Sequence, residues 1–397
     1  MWKVGPGGKL FLVLVGIGVL AYSSDRYLGR ARLFRLLGLR REPPVVLTPI
    51  DFPAGSSSPV GDLALVPTRP LRVAAAPRAS AASLLLAAGG VGLRREGVSS
   101  KSYGLDLDIT LANEEGPLTQ PLLKGGDLGG LDAAVISVDR LAQLNATLRD
   151  ARLKAVLLVA RSRGNEAIAA DATVNQIAGL RGKRIAVAPG SPARFFLMWS
   201  LAQALISPSH VQLIPTSSPT EAARMLREGQ AEAAAGLTPE VGAAAKGRGG
   251  RVLTTSADAP HLAAHVLVMR ADLLARFPDA GRRLVMALLD SADSMAHDPT
   301  EAAQLISLHV PQVGEPFEAL RNEATASLSD NLAFFGVRGD CPVRFDELYT
   351  SAAQLWLKLG EPADNSPPHT ARDLAPLLAA QGAAGPSAAD AGITIRR

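Results

Sequence analysis

The sequence contains a single cysteine, Cys341, and few aromatic residues. One cysteine excludes an intrachain disulfide, so cysteine content does not report the compartment. No histidine signature accompanies Cys341, and we predict a packing residue rather than a nucleophile. Aromatic residues make up 4% of the chain, whereas apolar residues make up 47% and charged residues 20%. These values predict a folded protein whose thin helices pack on a sheet.

Recognisable catalytic and metal-binding motifs are also missing. The six histidines lack the spacing of a metal site, and no Ser-His-Asp or paired-carboxylate set can be assigned from spacing. We therefore predict no catalytic residue, no metal and no cofactor. The net charge is only +4, and no basic face carries interleaved aromatics, which argues against nucleic acid as a partner.

The N-terminus has the pattern of an export signal. Residues 1–9 form a basic n-region, and residues 10–24 form an apolar segment that anchors the chain in a membrane or serves as a signal. We favour an uncleaved inner-membrane anchor with the remaining chain on the periplasmic side. The alternative is cleavage after a small-residue site near Ser23, which leaves a soluble periplasmic protein. Arginines beyond the segment oppose export under the positive-inside rule.

A linker and a tail flank the predicted folded body. Residues 25–70 are first basic and then rich in proline, with seven prolines between 42 and 70, which is typical of a semi-rigid spacer. Residues 381–397 are small and polar and are predicted to be a flexible tail.

Short apolar segments alternate with helix-length segments from Leu71 onward. Two such sets follow each other, and this alternation predicts βαβ units and parallel sheets. The predicted strands are 71–76, 105–111, 131–136, 153–160, 184–188, 211–214, 231–236, 251–254 and 261–270. The predicted helices are 80–88, 117–124, 138–148, 193–205, 219–228 and 239–246, with mostly helix after residue 270, to about residue 378. Gly89-Gly90 is a stop signal for the first helix, and Ser218 or Thr220 is a candidate cap.

Several short motifs carry a family resemblance when taken in order. Residues 179–187, Gly190-Ser191, 222–229, 230–233 and 238–240 resemble the second lobe of type II periplasmic binding proteins. The pattern is similar to that of ABC-transporter solute-binding proteins in the nitrate, sulfonate and taurine branch, and the resemblance extends over residues 71–360. The first strand lacks the tryptophan that often follows it in that family.

The resemblance implies an α/β fold with two lobes, each with a parallel-rich sheet and helices on both faces, preceded by the N-terminal membrane segment. Residues 71–159 and 258–380 would form lobe one, and residues 160–257 lobe two. A small solute would bind in the cleft between them, at the carboxyl ends of the strands, and be delivered to an ABC permease.

Polar side chains that follow the predicted strands are the candidate ligand-binding residues. A serine hydroxyl at a helix start favours an anion, but it serves equally well as a helix cap. An arginine pairs with a carboxylate, sulfonate or phosphate, but it is as common on a solvated surface. The candidates are Arg78, Ser80, Ser137, Asp139, Ser191, Thr238 and Glu240.

The function that follows is extracytoplasmic binding of a small solute, which we expect to be anionic, without enzymatic activity. Two alternatives stay open. A membrane-anchored sensor or scaffold would retain the fold but not the ligand, and an enzyme on the same fold is the other alternative because a fold does not fix a function.

Overall fold

The computed structural model describes residues 66–112, 118–148 and 151–383. These residues belong to one compact unit. The predicted n-region, the predicted membrane segment, and most of the predicted linker and tail lie outside the described residues. Within the described ranges, no helix is long and apolar enough to cross a membrane.

Twelve strands are described, and they form two sheets. Sheet A has the order β12-β5-β11-β4-β1-β3-β2, and sheet B has the order β10-β6-β9-β7-β8. The strands are β1 (Leu71–Ala75), β2 (Gly92–Leu93), β3 (Leu107–Leu111), β4 (Ala133–Ser137), β5 (Leu153–Ser162), β6 (Glu166–Ala170), β7 (Arg184–Val187), β8 (Gln212–Pro215), β9 (Ala233–Leu237), β10 (Arg251–Thr255), β11 (Ala264–Arg270) and β12 (Glu323–Thr325).

Both sheets are mixed, and the prediction of parallel-rich sheets is wrong in this respect. In sheet A, β1 is parallel to β3 and β4, while β11 is antiparallel to β4 and β5. In sheet B, β7 is parallel to β8 and β9, while β6 is antiparallel to β9 and β10. The antiparallel pairs involve a sheet edge or the strands that carry the chain between sheets. Such strands are not joined to their neighbours by the helical crossover that parallel pairing requires.

Helices fill the connections and the C-terminal part of the described chain. They are α1 (Ala82–Ala88), α2 (Val98–Tyr103), α3 (Thr119–Lys124), α4 (Val138–Thr147), α5 (Pro192–Gln203), α6 (Pro219–Arg227), α7 (Thr238–Gly247), α8 (Ala271–Arg276), α9 (Pro278–His297), α10 (Thr300–His309), α11 (Pro316–Arg321), α12 (Leu328–Phe334), α13 (Phe345–Lys358) and α14 (Ala375–Ala383).

The hydrophobic core covers both faces of sheet B and continues into sheet A. Alternate residues of β6 point to opposite faces, as expected for a strand. Ile168 belongs to the larger core cluster, whereas Ala167 belongs to a smaller cluster that includes residues of α6 and α7. The larger cluster reaches across both sheets, where Phe195 of α5 packs on Trp356 of α13 with ring centroids 5.8 Å apart.

The chain crosses between the sheets twice, and buried serines join the two crossings. Residues 163–165 lead from β5 to β6, and residues 256–263 lead from β10 to β11. The hydroxyl of Ser256 lies 2.9 Å from that of Ser162 and accepts a hydrogen bond of 2.8 Å from the backbone N–H of Gly164. Both serines are fully buried, so the first crossing is held in place between the sheets.

Candidate functional site

A cavity of about 200 Å³ lies where the ends of β1 and β9 face each other from the two sheets. We call it the acidic cavity because four glutamates are among its lining residues. The lining comprises Arg78, Ala79, Asn165, Leu237, Pro239, Glu240, Val313, Gly314, Glu315, Glu318, Ala319, Asn322 and Glu323. Its walls therefore come from sheet A, sheet B and the first crossing between them.

A second, hydroxyl-rich cavity of about 430 Å³ adjoins the first. We call it the hydroxyl cavity, and its lining comprises Pro77, Arg78, Ser217, Ser218, Pro219, Thr220 and Leu237. Arg78 and Leu237 line both cavities, so they form the boundary between them. The N-terminus of α6, capped by the Ser218 hydroxyl, opens into this cavity, and the positive end of a helix dipole favours negative charge.

A buried ion pair connects the two sheets beside these cavities. Nη1 of Arg78, which follows β1, lies 3.1 Å from Oε1 of Glu166, the first residue of β6. The Arg78 and Glu166 side chains are 8% and 0% exposed. Oε2 of Glu166 has no hydrogen-bond partner among the described residues. The pair neutralises the guanidinium that a ligand anion would otherwise meet.

Two further titratable side chains lie in this buried region. His265 on β11 and Glu323 on β12 are both almost fully buried, with Nε2 and Oε1 3.9 Å apart. Burial lowers the pKa of His265, which keeps the imidazole neutral at neutral pH. Burial raises the pKa of Glu323, and the negative charge of Glu166 raises it further. Glu323 is therefore held largely in its protonated form.

Glu240 lies in the first turn of α7 and lines the acidic cavity, as Glu323 does. Its Oε1 accepts a hydrogen bond of 3.2 Å from the hydroxyl of Thr220. Its Oε2 is buried and has no hydrogen-bond partner in the described part of the chain. Burial raises the pKa of Glu240 as well.

Three of the seven predicted ligand-binding residues lie at or beside the acidic cavity. Arg78 and Glu240 line it. Thr238 is not a lining residue, because its hydroxyl is turned to the crossing and donates to the carbonyl of Asn165 at 3.0 Å.

The other four predicted residues line neither cavity. Ser191 caps α5: its hydroxyl donates to the Ala188 carbonyl at 2.8 Å and accepts from the Arg194 N–H at 3.3 Å. Burial raises the pKa of Asp139 to about 6, partly offset by a hydrogen bond from Ser137 at the start of α4. Ser80 is buried in the 3-10 turn after β1. A ligand role for any of the seven residues stays a prediction.

Sequence reasoning missed much of this polar cluster. Glu166 gives one signal, because a charged residue opens a strand of small apolar residues that is buried throughout. Glu323 and His265 give none, because they meet only through the pairing of β5 with its two neighbours, β11 and β12. Cys341 is half-buried against the larger core, as predicted for a packing residue. Within the described ranges, no group of three or more potential ligands could hold a metal ion.

Comparison with models of known families assigns this chain to one of them. The model of the family described as NMT1/THI5 like matches residues 101–302, which is half of the chain. The protein belongs to the NMT1/THI5-like family. No protein among the curated sequences matches it.

Solved structures share the fold at low sequence identity. The alkanesulfonate-binding protein SsuA from Xanthomonas axonopodis pv. citri, bound to MOPS, has a TM-score of 0.61 at 17% identity, over 78% of this chain and 99% of that chain. The periplasmic nitrate-binding protein NrtA from Synechocystis PCC 6803 has a TM-score of 0.59 at 16% identity, over 80% and 89%. The desulfurization enzyme DSZB has a TM-score of 0.52 at 15% identity, over 79% and 99%. These likenesses confirm the predicted two-sheet periplasmic-binding-protein fold.

Proposed function

We propose that the protein captures a small solute between sheet A and sheet B on the periplasmic side of the inner membrane and delivers it to an ABC permease. One observation carries the proposal. Polar side chains that follow a strand of each sheet, the buried Arg78 after β1 and the half-buried Glu240 after β9, line one cavity. A cavity with apolar walls and a few convergent polar groups is the usual form of a small-molecule site. SsuA and NrtA, which share the fold, are named as binding proteins.

The proposed mechanism is closure of two lobes on the solute. The lobes would be residues 71–159 with 258–380, and residues 160–257. The buried contact between Ser162 and Ser256 fixes the two crossings to each other and suits a pivot for hinge motion. A solute that contacts both lobes stabilises the closed state, because it gains its full set of contacts only there.

An anionic group on the solute, as predicted from the sequence, suits the hydroxyl cavity. The Ser217 hydroxyl lines it, the N-terminus of α6 opens into it, and Arg78, whose Nη1 is paired with Glu166, borders it. Donors of this kind bind the oxygens of a sulfonate, a carboxylate or a phosphate.

We propose binding and not catalysis. The likeness to the desulfurization enzyme concerns the fold alone. The one thiol of the chain, that of Cys341, lies outside the lining of both cavities and donates to the carbonyl of Val343 at 3.0 Å.

The test is a thermal-shift screen of the full chain in mild detergent, with small sulfonates, nitrate, phosphate, carboxylates and amino acids. A ligand that binds only the folded state raises the melting temperature by mass action. We expect one chemical class to raise it, and Arg78→Ala to abolish the shift. Arg251→Ala is the matched control, because Arg251 is exposed on β10 and lines neither cavity. The absence of a shift with every compound would contradict the proposal.

A further inference from the structure

The charges and unpaired oxygens of the acidic cavity indicate which end of a solute it would bind. This inference rests on the proposed function. We infer that the acidic cavity binds the amine end of a small solute, with the carboxyl groups of Glu323 and Glu240 as acceptors. The solute would therefore carry an amine, whether or not it also carries an anionic group for the hydroxyl cavity.

The charges around the acidic cavity disfavour an oxyanion. Arg78 is the one cationic side chain among the described lining residues, and Glu166 already occupies its guanidinium. An anion would have to displace Glu166 from Arg78 and leave that carboxylate buried without a counter-charge. A cation meets the opposite field, because Glu315 and Glu318 are exposed at the rim and attract positive charge.

Unpartnered acceptor oxygens show where the donors of the solute would go. Glu323 is 2% exposed and lines the acidic cavity, yet neither of its carboxyl oxygens has a hydrogen-bond partner in the described part of the chain. The Asn165 side chain is close enough to offset part of the rise in the pKa of Glu323, but its geometry falls short of a regular hydrogen bond. A buried acceptor left unpaired is costly, and ammonium supplies three donors that would satisfy these oxygens.

Size and wall chemistry define the rest of the solute. The volume of about 200 Å³ exceeds the roughly 150 Å³ of a cavity that admits benzene. Ala79, Leu237, Pro239, Val313 and Ala319 supply apolar wall. The cavity therefore suits a short aliphatic amine, and Arg78 and Leu237 lead from it to the hydroxyl cavity.

Proton release provides a second signature of amine binding. The charged or titratable groups that act on Glu323 come from three elements: Arg78 after β1, Glu166 on β6 and His265 on β11. Because burial keeps Glu323 largely protonated, an ammonium group would drive off that proton when it binds. The affinity for an amine should therefore rise with pH, whereas the affinity for an anion should fall.

The experiment uses matched pairs of compounds that differ only in the amine. Calorimetric titrations of the full chain compare β-alanine with propionate, taurine with ethanesulfonate, and propylamine alone. We expect the amine member of a pair to bind at least about tenfold more tightly and to release a proton, measured in buffers of different ionisation enthalpy. Glu323→Gln should weaken the amine member about tenfold and leave the amine-free member unchanged. Glu301→Gln, an exposed change on α10, is the control.

The outcomes separate the inference from the proposed function. Equal or tighter binding of the amine-free members would overturn the inference and leave solute binding standing. No binding by any compound would contradict the proposed function, and the inference with it. If Glu323→Gln does not fold, Glu240→Gln and the proton count of the unmodified protein decide the same question, and proton uptake on binding would overturn the inference.

Discussion

Arg78 and Glu166 form a buried ion pair that joins sheet A to sheet B, with Nη1 and Oε1 3.1 Å apart. Arg78 follows the C-terminal end of β1 in sheet A, and Glu166 begins β6 in sheet B. Each residue therefore lies at a strand end that faces the other sheet. The pair therefore holds the two sheets together at the wall of the candidate site. It also neutralises the one cationic side chain among the described residues that line the acidic cavity.

Breaking this pair should destabilise the protein strongly. Arg78→Ala or Glu166→Ala alone leaves the partner charged and buried, and we expect each to lower the free energy of unfolding by about 3 kcal/mol. The double variant should lose clearly less than the sum, because it leaves no orphaned charge. Urea unfolding gives the free energy of unfolding of the unmodified protein, the two single variants and the double variant. Strict additivity would show that the two side chains do not interact.

Glu323 should make stability fall as pH rises. Its pKa is raised in the folded protein by burial, so the folded state binds more protons than the unfolded chain between the ordinary and the raised value. Stability is lost across that window at up to about 1.4 kcal/mol per pH unit. His265 acts in the opposite direction, but only below its ordinary pKa of about 6.5.

The melting temperatures of Glu323→Gln and of the unmodified protein are therefore compared above about pH 7, where His265 no longer titrates. Glu323→Gln removes the titration of Glu323, so its melting temperature relative to the unmodified protein should increase as pH rises. A difference that stays constant with pH would mean that Glu323 is ionised in the folded state.

Arg69 should contribute to stability although it lies in the predicted linker. Its guanidinium binds Asp132 with both ends, at 2.5 and 2.8 Å, and Asp132 is buried at the start of the β4 region. We expect Arg69→Ala to cost about 2 kcal/mol of unfolding free energy, because it leaves a buried carboxylate with fewer donors. Arg94→Ala is the control and should be close to neutral, because Arg94 is exposed and, among the described residues, hydrogen-bonds only to the Val91 carbonyl. Equal effects of the two variants would argue against the Arg69 contact.

Ser191 should matter for stability and not for the solute. It caps α5 and lines neither cavity, so Ser191→Ala should lower the unfolding free energy by about 1 kcal/mol and leave ligand affinity unchanged. Chemical denaturation and calorimetry give the two values. A loss of affinity without a loss of stability would return Ser191 to the list of ligand contacts.

Local patterns in the sequence were sufficient for most elements of the fold. The first helix ends as predicted, because Gly89 adopts φ of 80°, which glycine accepts at no steric cost. Of the two predicted caps of α6, Ser218 is the one used, and its hydroxyl accepts from the Glu221 N–H at 3.1 Å. β6 was missed, because Glu166–Ala170 is mostly alanine and has little β-propensity. It is a strand because β9 and β10 pair with it on both sides.

The site was less accessible to sequence reasoning. The strand-end rule selected Arg78 and Glu240, which line the acidic cavity, because the ends of parallel strands meet at one edge of a sheet. The same rule selected Ser137 and Ser191, whose hydroxyls are used within their own helix starts. Glu323 comes from an edge strand far along the chain, and its burial depends on tertiary packing that no local pattern encodes.

The most direct test is a crystal structure of the protein with β-alanine. We expect the solute between sheet A and sheet B, with its nitrogen within about 3 Å of a carboxyl oxygen of Glu323 or Glu240 and with Arg78 still paired with Glu166. A solute bound away from both cavities, with the acidic cavity unchanged, would contradict the central claim that this protein binds its solute between the two sheets.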